Sequence, residues 1–123
     1  MAQERVAVVT GGMGGLGESI SIKLADAGYK VVVTYSPSNT KFRSWLEDMK
    51  SKGHAFAAYP VDVVNYDDCA AKVAQMQRET GPIDILVNNA GITRDMTFKK
   101  MTKADWDAVM RTNLDSCFNM TKQ

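Results

Sequence analysis

The sequence predicts an α/β fold in which a parallel sheet lies between two layers of helices. Three observations support this prediction. Apolar runs of strand length alternate along the chain with longer stretches of helical period, which is the pattern of βαβ units. The composition, 45% hydrophobic and 24% charged, is that of an ordinary globular protein. A length of 123 residues has room for one domain with one core, and the chain contains no repeats, linkers or low-complexity segments.

Four apolar runs predict the strands of this sheet. Parallel strands that are covered on both faces read as nearly continuous apolar segments, and only Asp84 interrupts the fourth run. The predicted strands are Val6–Thr10, Val31–Tyr35, about Ala55–Val61, and Ile83–Val87.

A helix is predicted after each of the first three strands, because apolar residues recur there at helical spacing. The first helix ends near Gly28, the second near Gly53 and the third at Gly81-Pro82. A turn at Pro37-Ser38-Asn39 leads into the second helix, and Asn65 is expected to cap the third. The expected apolar faces are Leu16, Ile20 and Leu24 in the first helix, Phe42, Leu46 and Met49 in the second, and Ala70, Val73 and Met76 in the third.

A last helix is predicted from Thr102 to about Lys122. Thr102 with Asp105 three residues later has the form of a capping box that begins a helix. Asn113 interrupts the apolar side of this helix, so its amide needs a partner or water, and a polar core residue is the simplest interpretation. The expected apolar side is Trp106, Val109, Met110, Leu114, Cys117 and Phe118.

Charge and cysteine content exclude several classes of partner. Fifteen Lys and Arg against fourteen Asp and Glu leave a net charge of +1, which offers no basic surface for nucleic acid or an anionic membrane. Cys69, Cys117 and His54 cannot complete a four-ligand zinc set or a disulfide framework, so we expect no metal site. The N-terminus has no signal-peptide core, and no apolar run approaches the roughly 18 residues of a membrane span. These features predict a cytoplasmic protein.

The segment Thr10-Gly11-Gly12-Met13-Gly14-Gly15-Leu16-Gly17 lies between the first strand and its helix. Backbone N–H groups and the positive end of a helix can bind a pyrophosphate there, and glycine allows the close approach. Two glycine registers fit, one with Gly12, Gly14 and Gly17 and one with Gly11, Gly15 and Gly17; a plain glycine-rich turn is the alternative. A P-loop is excluded because Glu18 stands where that motif needs Lys. The segment therefore predicts a Rossmann-type sheet that binds a dinucleotide.

The end of the second strand indicates which dinucleotide is bound. Sites for NAD place an acidic residue there to bind the ribose hydroxyls, but no Asp or Glu occurs from Val31 through Leu46. Ser36, Lys41 and Arg43 can instead bind a 2′-phosphate, which predicts NADP(H). The alternative is that Lys41 and Arg43 are solvated charges on a helix, and for Arg43 that interpretation is at least as good.

Two further polar segments follow predicted strands. Asp62-Val63 follows the third strand, where the carboxylate can accept the exocyclic amine of adenine or can belong to an ordinary turn. Asn88-Asn89-Ala90-Gly91 follows the fourth, and consecutive amides at the carboxyl end of a strand suit a ligand site better than a core. These amides can brace the neighbouring strand and also form the floor under the ribose.

Taken together, these motifs resemble the short-chain dehydrogenase/reductase family over the whole chain. The glycine segment, Asp62-Val63, Asn88-Asn89-Ala90-Gly91 and Thr112-Asn113 occur in the family's order and near its spacings. The resemblance implies the first four strands of a doubly wound parallel sheet, in the order 3-2-1-4 with flanking helices, and NADP(H) as cofactor. The residues that it implies for cofactor binding, besides Ser36 and Lys41, are Gly11, Gly12, Met13, Gly14, Gly15, Leu16, Gly17, Asp62, Val63, Asn89, Ala90, Gly91 and Ile92.

Within the family, three segments look most like the bacterial acetoacetyl-CoA reductases, the NADPH-dependent enzymes of polyhydroxybutyrate synthesis. The 3-oxoacyl-acyl-carrier-protein reductases are the close alternative, and a non-catalytic nucleotide-binding module is a second. The resemblance implies a small acyl thioester substrate, with Asp95 at the mouth of its site, and a homo-oligomer, expected to be a tetramer, formed through the last helix. Arg94, Lys99, Lys100 and Lys103 lie near Asp95 as cations for an anionic CoA or as solvated charges. The three segments are Gly11–Gly15, Asn89–Asp95 and Lys100–Asp107.

The family's catalytic Asn maps onto Asn113, where it would hold a water of the proton relay. The family's Tyr and the Lys four residues after it have no counterpart, since Tyr29, Tyr35, Tyr59 and Tyr66 are each followed by another residue type at that distance. We therefore expect residues 1–123 to be the N-terminal part of a single NAD(P)-binding domain whose catalytic C-terminal part is absent, and to be inactive alone.

Overall fold

Four parallel strands form one sheet in the computed structural model, which describes residues 4–123. The strand order is β3-β2-β1-β4, which confirms the predicted order. Each strand lies within two residues of its predicted bounds; β3 is the shortest relative to prediction because its pairing with β2 extends only from Ala57 to Pro60. The strands are β1 (Val6–Val9), β2 (Lys30–Tyr35), β3 (Ala57–Pro60) and β4 (Ile83–Val87).

The helices follow the strands as βαβ units require. Two of the predicted N-terminal signals are confirmed: the Asn65 side chain accepts a bond from Asp68 N, and Thr102 and Asp105 form both bonds of a capping box. The helices are α1 (Gly15–Asp26), α2 (Phe42–Ser51), α3 (Tyr66–Thr80), α4 (Lys103–Met110) and α5 (Ser116–Thr121).

The predicted last helix contains an unpredicted π-helical turn. Residues Arg111–Asp115 form this turn between α4 and α5, and the helical backbone continues through it. A 3₁₀ turn at Phe98–Lys100 precedes α4. A π turn widens the helix by one residue per hydrogen-bonded ring, and such turns are frequent at functional sites. This one carries Asn113.

The core lies on both faces of the sheet, so the strands read as apolar runs in the sequence. On one face, buried residues of β1 and β2 pack against α3 and α5 through Val73, Met76 and Met120. On the other face, Val9, Val31 and Val33 pack against α1 and α2, where Ile20 and Trp45 are partly buried. The two layers of helices make the sheet doubly wound, as predicted.

In two helices, part of the expected apolar face is exposed. Ile20 and Leu24 of α1 pack against the core as expected. Leu16 is 70% exposed because Gly17 and Ser21 of α1 face the sheet instead. In the last helix Trp106, Leu114 and Phe118 are 48%, 57% and 63% exposed. The helix is oriented by Ser116, Asn119 and Met120, which are buried, and Asn119 Nδ2 donates to Val63 O at 2.9 Å.

Two absences hold for the part of the chain that the structure describes. Within residues 4–123, no helix has both the length and the apolar character needed to cross a membrane. Those residues also contain no cluster of three His, Cys, Asp or Glu side chains that could bind a metal ion.

Candidate functional site

Most of the predicted cofactor residues line one cavity of about 370 Å³. It lies where β1, β2 and β4 end, at the carboxyl edge of the sheet. The predicted residues in its wall are Gly11, Met13, Gly14, Gly15, Leu16, Gly17, Ser36, Asn89, Ala90 and Gly91. Thr34, Tyr35 and Asn39 complete the wall and were not predicted as site residues. Leu16, which was also expected on the apolar face of α1, is instead exposed in this wall.

Three glycines of the loop are required by the packing of the protein itself. Gly11 has a φ of +61°, a conformation that residues with a Cβ rarely adopt. A Cβ on Gly12 would lie 2.5 Å from Val33 Cγ1, and one on Gly17 would lie 2.1 Å from Gly11 O. Gly12 is buried and lies outside the cavity wall, so its predicted contact with a cofactor remains a prediction.

Gly14 and Gly15 have no such internal reason to be glycine. A Cβ on Gly15 would meet no atom within 4 Å, and the nearest atom to one on Gly14 would be 3.7 Å away. Both residues line the cavity, at the point where α1 begins without a side-chain cap. The first N–H groups of a helix have no partners within the helix and carry its positive end. An open glycine surface at such a point fits a phosphate group that approaches the backbone.

Thr10 and Asn89 connect the glycine loop to the segment after β4 by hydrogen bonds. Thr10 Oγ1 accepts from the backbone N–H groups of Asn89 and Ala90 at 3.0 and 2.9 Å. In return, Asn89 Nδ2 donates to the carbonyls of Thr10 and Gly11, both at 3.1 Å. The bracing role expected of the amides after the fourth strand is thus present for Asn89. Thr10 was not predicted as a site residue; its only sequence signal was a hydroxyl directly before the first glycine, and the structure shows that it is buried.

The part of the cavity wall that follows β2 in the chain is polar and contains no carboxylate. Ser36 lines the cavity, and its hydroxyl lies 2.9 Å from that of Ser38. Lys41 is exposed at the N-terminus of α2, outside the wall, and has no ion pair among residues 4–123. Arg43 stacks its guanidinium over the Phe42 ring at 5.6 Å. Burial raises the pKa of Tyr35, and the charge of Arg43 offsets part of that rise.

Asp62 and Val63 lie outside the cavity wall. Asp62 Oδ1 accepts from Val64 N at 3.3 Å, which is the contact of an ordinary turn aspartate. The neighbouring Cys69 thiol is buried, and burial together with Asp68 and Asp62 raises its pKa to about 11. A contact of Asp62 or Val63 with adenine stays a prediction.

A second cavity, of about 280 Å³, contains the predicted catalytic and substrate residues. Its wall includes Ile92, Asp95 and Asn113, together with Arg94 and Trp106. The chain segment from Asn89 to Ile92 joins the two cavities, since Gly91 lines the first and Ile92 the second. The structure thus places Asp95 and Asn113 in the wall of one cavity, which is separate from the cavity of the glycine loop.

Asn113 is not the polar core residue that its helical spacing suggested. It is exposed, because the π turn places it beside the loop after β4 rather than under the sheet. Its amide binds the backbone of Ile92 in both directions: Ile92 N donates to Oδ1 at 2.8 Å, and Nδ2 donates to Ile92 O at 2.9 Å. A Cβ on Gly91 would lie 3.2 Å from Asn113 Oδ1, so this loop is closely fitted to the helix.

Comparison with known proteins agrees with this geometry. The family model for short chain dehydrogenases matches residues 5–123. The chain is 48% identical over 120 residues to an acetoacetyl-CoA reductase of Cupriavidus necator, covering 98% of this chain and 49% of that protein. It is 40% identical over 119 residues to a 3-oxoacyl-[acyl-carrier-protein] reductase of Staphylococcus aureus, covering 97% and 48%. The chain spans about half the length of the curated relatives that it matches.

Among solved structures, the fold is similar to a gluconate 5-dehydrogenase from Burkholderia cenocepacia in complex with NADP and tartrate. The TM-score is 0.86 at 32% sequence identity, with 98% of this chain and 47% of that chain covered.

Proposed function

The chain belongs to the short-chain dehydrogenase family, and from this premise we propose that it is the cofactor-binding part of an NADPH-dependent 3-oxoacyl thioester reductase. The proposed reaction of the whole enzyme is the reduction of acetoacetyl-CoA to 3-hydroxybutyryl-CoA. The observation that carries the proposal is the pair of joined cavities: one has a glycine cradle with room for phosphates, and the other holds Asp95 and Asn113. We assign residues 1–123 to the N-terminal part of a single NAD(P)-binding domain.

The first cavity is the proposed NADPH site. The backbone N–H groups of Gly15, Leu16 and Gly17, at the start of α1, bind the pyrophosphate. Ser36 donates a hydrogen bond to the 2′-phosphate, and Lys41 supplies a positive charge that no carboxylate of residues 4–123 neutralises. Asp62 and Val63 would contact the adenine, and the segment Asn89–Ile92 would form the floor under the ribose.

The second cavity is the proposed substrate side. When bound, NADPH would supply the hydride that reduces the 3-oxo carbon of the thioester. Asn113 holds the Ile92 backbone in place and, by its match to the family's catalytic Asn, orients a water of the proton relay. Asp95 stands at the mouth of the cavity. The proton that completes the alcohol comes from a Tyr and Lys pair that is not among residues 1–123, since no tyrosine here is followed by Lys four residues later.

We also propose that the whole enzyme is a homo-oligomer, and a tetramer. Trp106, Leu114 and Phe118 of the last helical segment leave large apolar side chains in solvent in one copy of this chain. Light scattering of the whole enzyme at micromolar concentration tests the assembly, and a monomer would contradict it.

The function is tested by comparing this chain with a form extended through a Tyr-x-x-x-Lys segment. NADPH oxidation is followed with acetoacetyl-CoA and, separately, with a 3-oxoacyl-acyl-carrier protein. We expect turnover only by the extended form, because general acid catalysis contributes about 10² to 10⁴ in rate and orientation contributes more. Preference for the carrier protein would replace acetoacetyl-CoA with the alternative substrate. Comparable turnover by the short chain would show that the proton donor lies among residues interpreted as structural.

A further inference from the structure

The Asn39 side chain links the turn after β2 to the start of α2. Asn39 N donates to Ser36 O at 2.9 Å, which closes the turn Ser36–Asn39. Its side-chain oxygen accepts from Lys41 N at 2.7 Å. Lys41 is the N-cap of α2 and makes no side-chain cap of its own, so Asn39 supplies the polar side-chain contact at the entry to this helix.

The other end of the Asn39 amide faces the glycine loop. Asn39 Nδ2 lies 4.0 Å from Met13 Sδ, and both residues line the first cavity. Sulfur is a weak acceptor, so this contact orients the amide without using much of its hydrogen-bonding capacity. Farther along α2, Trp45 Nε1 donates to Glu18 Oε2 of α1 at 3.0 Å. The turn that carries Ser36 and Lys41 is therefore held against the glycine loop and α1 from two sides.

This inference rests on the proposed preference for NADPH. We propose that Asn39 is a positioning residue that makes the site selective for a 2′-phosphorylated adenine nucleotide. A 2′-phosphate needs the Ser36 hydroxyl and the Lys41 ammonium on the same side of one turn, whereas a ribose with a free 2′-hydroxyl needs neither group. The attraction between the Lys41 ammonium and the 2′-phosphate depends on the distance between them. If loss of the Asn39 bond opens the turn, binding of a nucleotide with a 2′-phosphate is weakened more than binding of one without it.

The test uses two probes that differ only in the 2′-phosphate, adenosine 2′,5′-bisphosphate and adenosine 5′-monophosphate. Their dissociation constants are measured by calorimetry for the protein and three variants. Asn39→Ala removes the acceptor for Lys41 N. Asn39→Ser keeps an oxygen that can accept the same bond. Thr40→Ala is the matched control, because Thr40 is exposed directly after this turn and its side chain makes no hydrogen bond within residues 4–123.

We expect Asn39→Ala to weaken the bisphosphate on the order of tenfold and the monophosphate less than about twofold. Asn39→Ser restores most of the loss, and Thr40→Ala changes neither constant. If Asn39→Ala fails to fold by its thermal melt, Asn39→Ser alone decides: a retained ratio of the two constants supports the proposal and a lost ratio overturns it.

Two outcomes separate this inference from the proposed cofactor. Equal binding of both probes by the unchanged protein overturns the NADPH preference and this inference with it. A preference in the unchanged protein that survives in Asn39→Ala overturns the role of Asn39 alone. Failure of Asn39→Ser to rescue a folded Asn39→Ala variant also overturns positioning, because it means that the amide itself contacts the phosphate.

Discussion

Replacing Gly15 and Gly17 by alanine, one at a time, separates a glycine kept for a ligand from a glycine kept for the fold. Both lie in the first turn of α1 and line the same cavity. A Cβ on Gly17 would lie 2.1 Å from Gly11 O and 2.8 Å from Asn89 Nδ2. A Cβ on Gly15 would meet no atom within 4 Å. The two substitutions add the same methyl group to opposite environments.

The expected cost of Gly17→Ala follows from what must move. The Gly11 carbonyl is held by Asn89 Nδ2 at 3.1 Å and lies in a loop with a φ of +61° at Gly11, so it cannot retreat freely. Forcing an extra methyl into a packed site costs about 1–3 kcal/mol, and disturbing the Asn89 bond adds about 1 kcal/mol. We expect the free energy of unfolding to fall by about 2–4 kcal/mol, a large fraction of the stability of a small domain.

Gly15→Ala is expected to leave the free energy of unfolding unchanged or to raise it by up to about 1 kcal/mol, because alanine favours helix more than glycine does. Its methyl group occupies the surface that we assign to the pyrophosphate, so affinity for NADPH should fall on the order of tenfold or more. Urea unfolding followed by circular dichroism measures stability, and calorimetric titration measures NADPH binding. Unchanged NADPH affinity in a stable Gly15→Ala protein would refute the pyrophosphate assignment. Equal destabilisation by both substitutions would refute the packing argument.

Three other predictions follow from single contacts. Lys41→Ala should weaken NADPH by about 1–3 kcal/mol and NADH much less in binding titrations, and an equal effect on both cofactors would remove Lys41 from the 2′-phosphate site. Burial, together with the hydrogen bond that Tyr59 donates to Glu79, raises the pKa of Tyr59 to about 12. The bonds from Tyr59 and Gln75 lower the pKa of Glu79 from its usual 4.5. The stability that the Tyr59 shift contributes is therefore present below pH 10 and lost as the pH rises toward 12, and the contribution of the Glu79 shift is lost as the pH falls below 4.5. In Tyr59→Phe the urea midpoint of unfolding should change less with pH in both ranges. A pH dependence equal to that of the unchanged protein would argue against the bond. Charge reversal at Lys99 and Lys100 should raise the KM of the whole enzyme for acetoacetyl-CoA and leave that for NADPH nearly unchanged, whereas no change in either KM would exclude a contact with CoA.

The elements that sequence reasoning predicted best are those specified by neighbouring residues. The Asn65 cap and the Thr102 and Asp105 capping box each need only residues three apart, and both are present. The glycine loop was identified for the same reason, since its motif is continuous between a strand and a helix. Local hydrogen-bonding needs and backbone conformation are encoded over a few residues, so they can be recognised without knowing the partners in space.

The orientation of the helices was harder to predict. Leu114 and Phe118 are apolar and helically spaced, but the buried side of that segment is Ser116, Asn119 and Met120. Apolar spacing shows that a helix has an apolar face, and it does not show which face meets the sheet and which remains outside. The π turn at Arg111–Asp115 had no sequence signal either, and its Asn113 bonds Ile92, which lies 21 residues away in the chain.

The sequence by itself determined the order of strands and helices, the glycine loop at the end of β1 and the absence of an acid after β2. Each of these can be recognised from short continuous segments of the chain. Only the tertiary structure decided that Thr10 and Asn89 brace that loop, that the Asn39 side chain accepts from Lys41 N beside it, and that Asn113 reaches Ile92. The physical reason is that parallel strands bring their carboxyl ends together at one edge of the sheet, so hydrogen bonds form there between residues far apart in the chain.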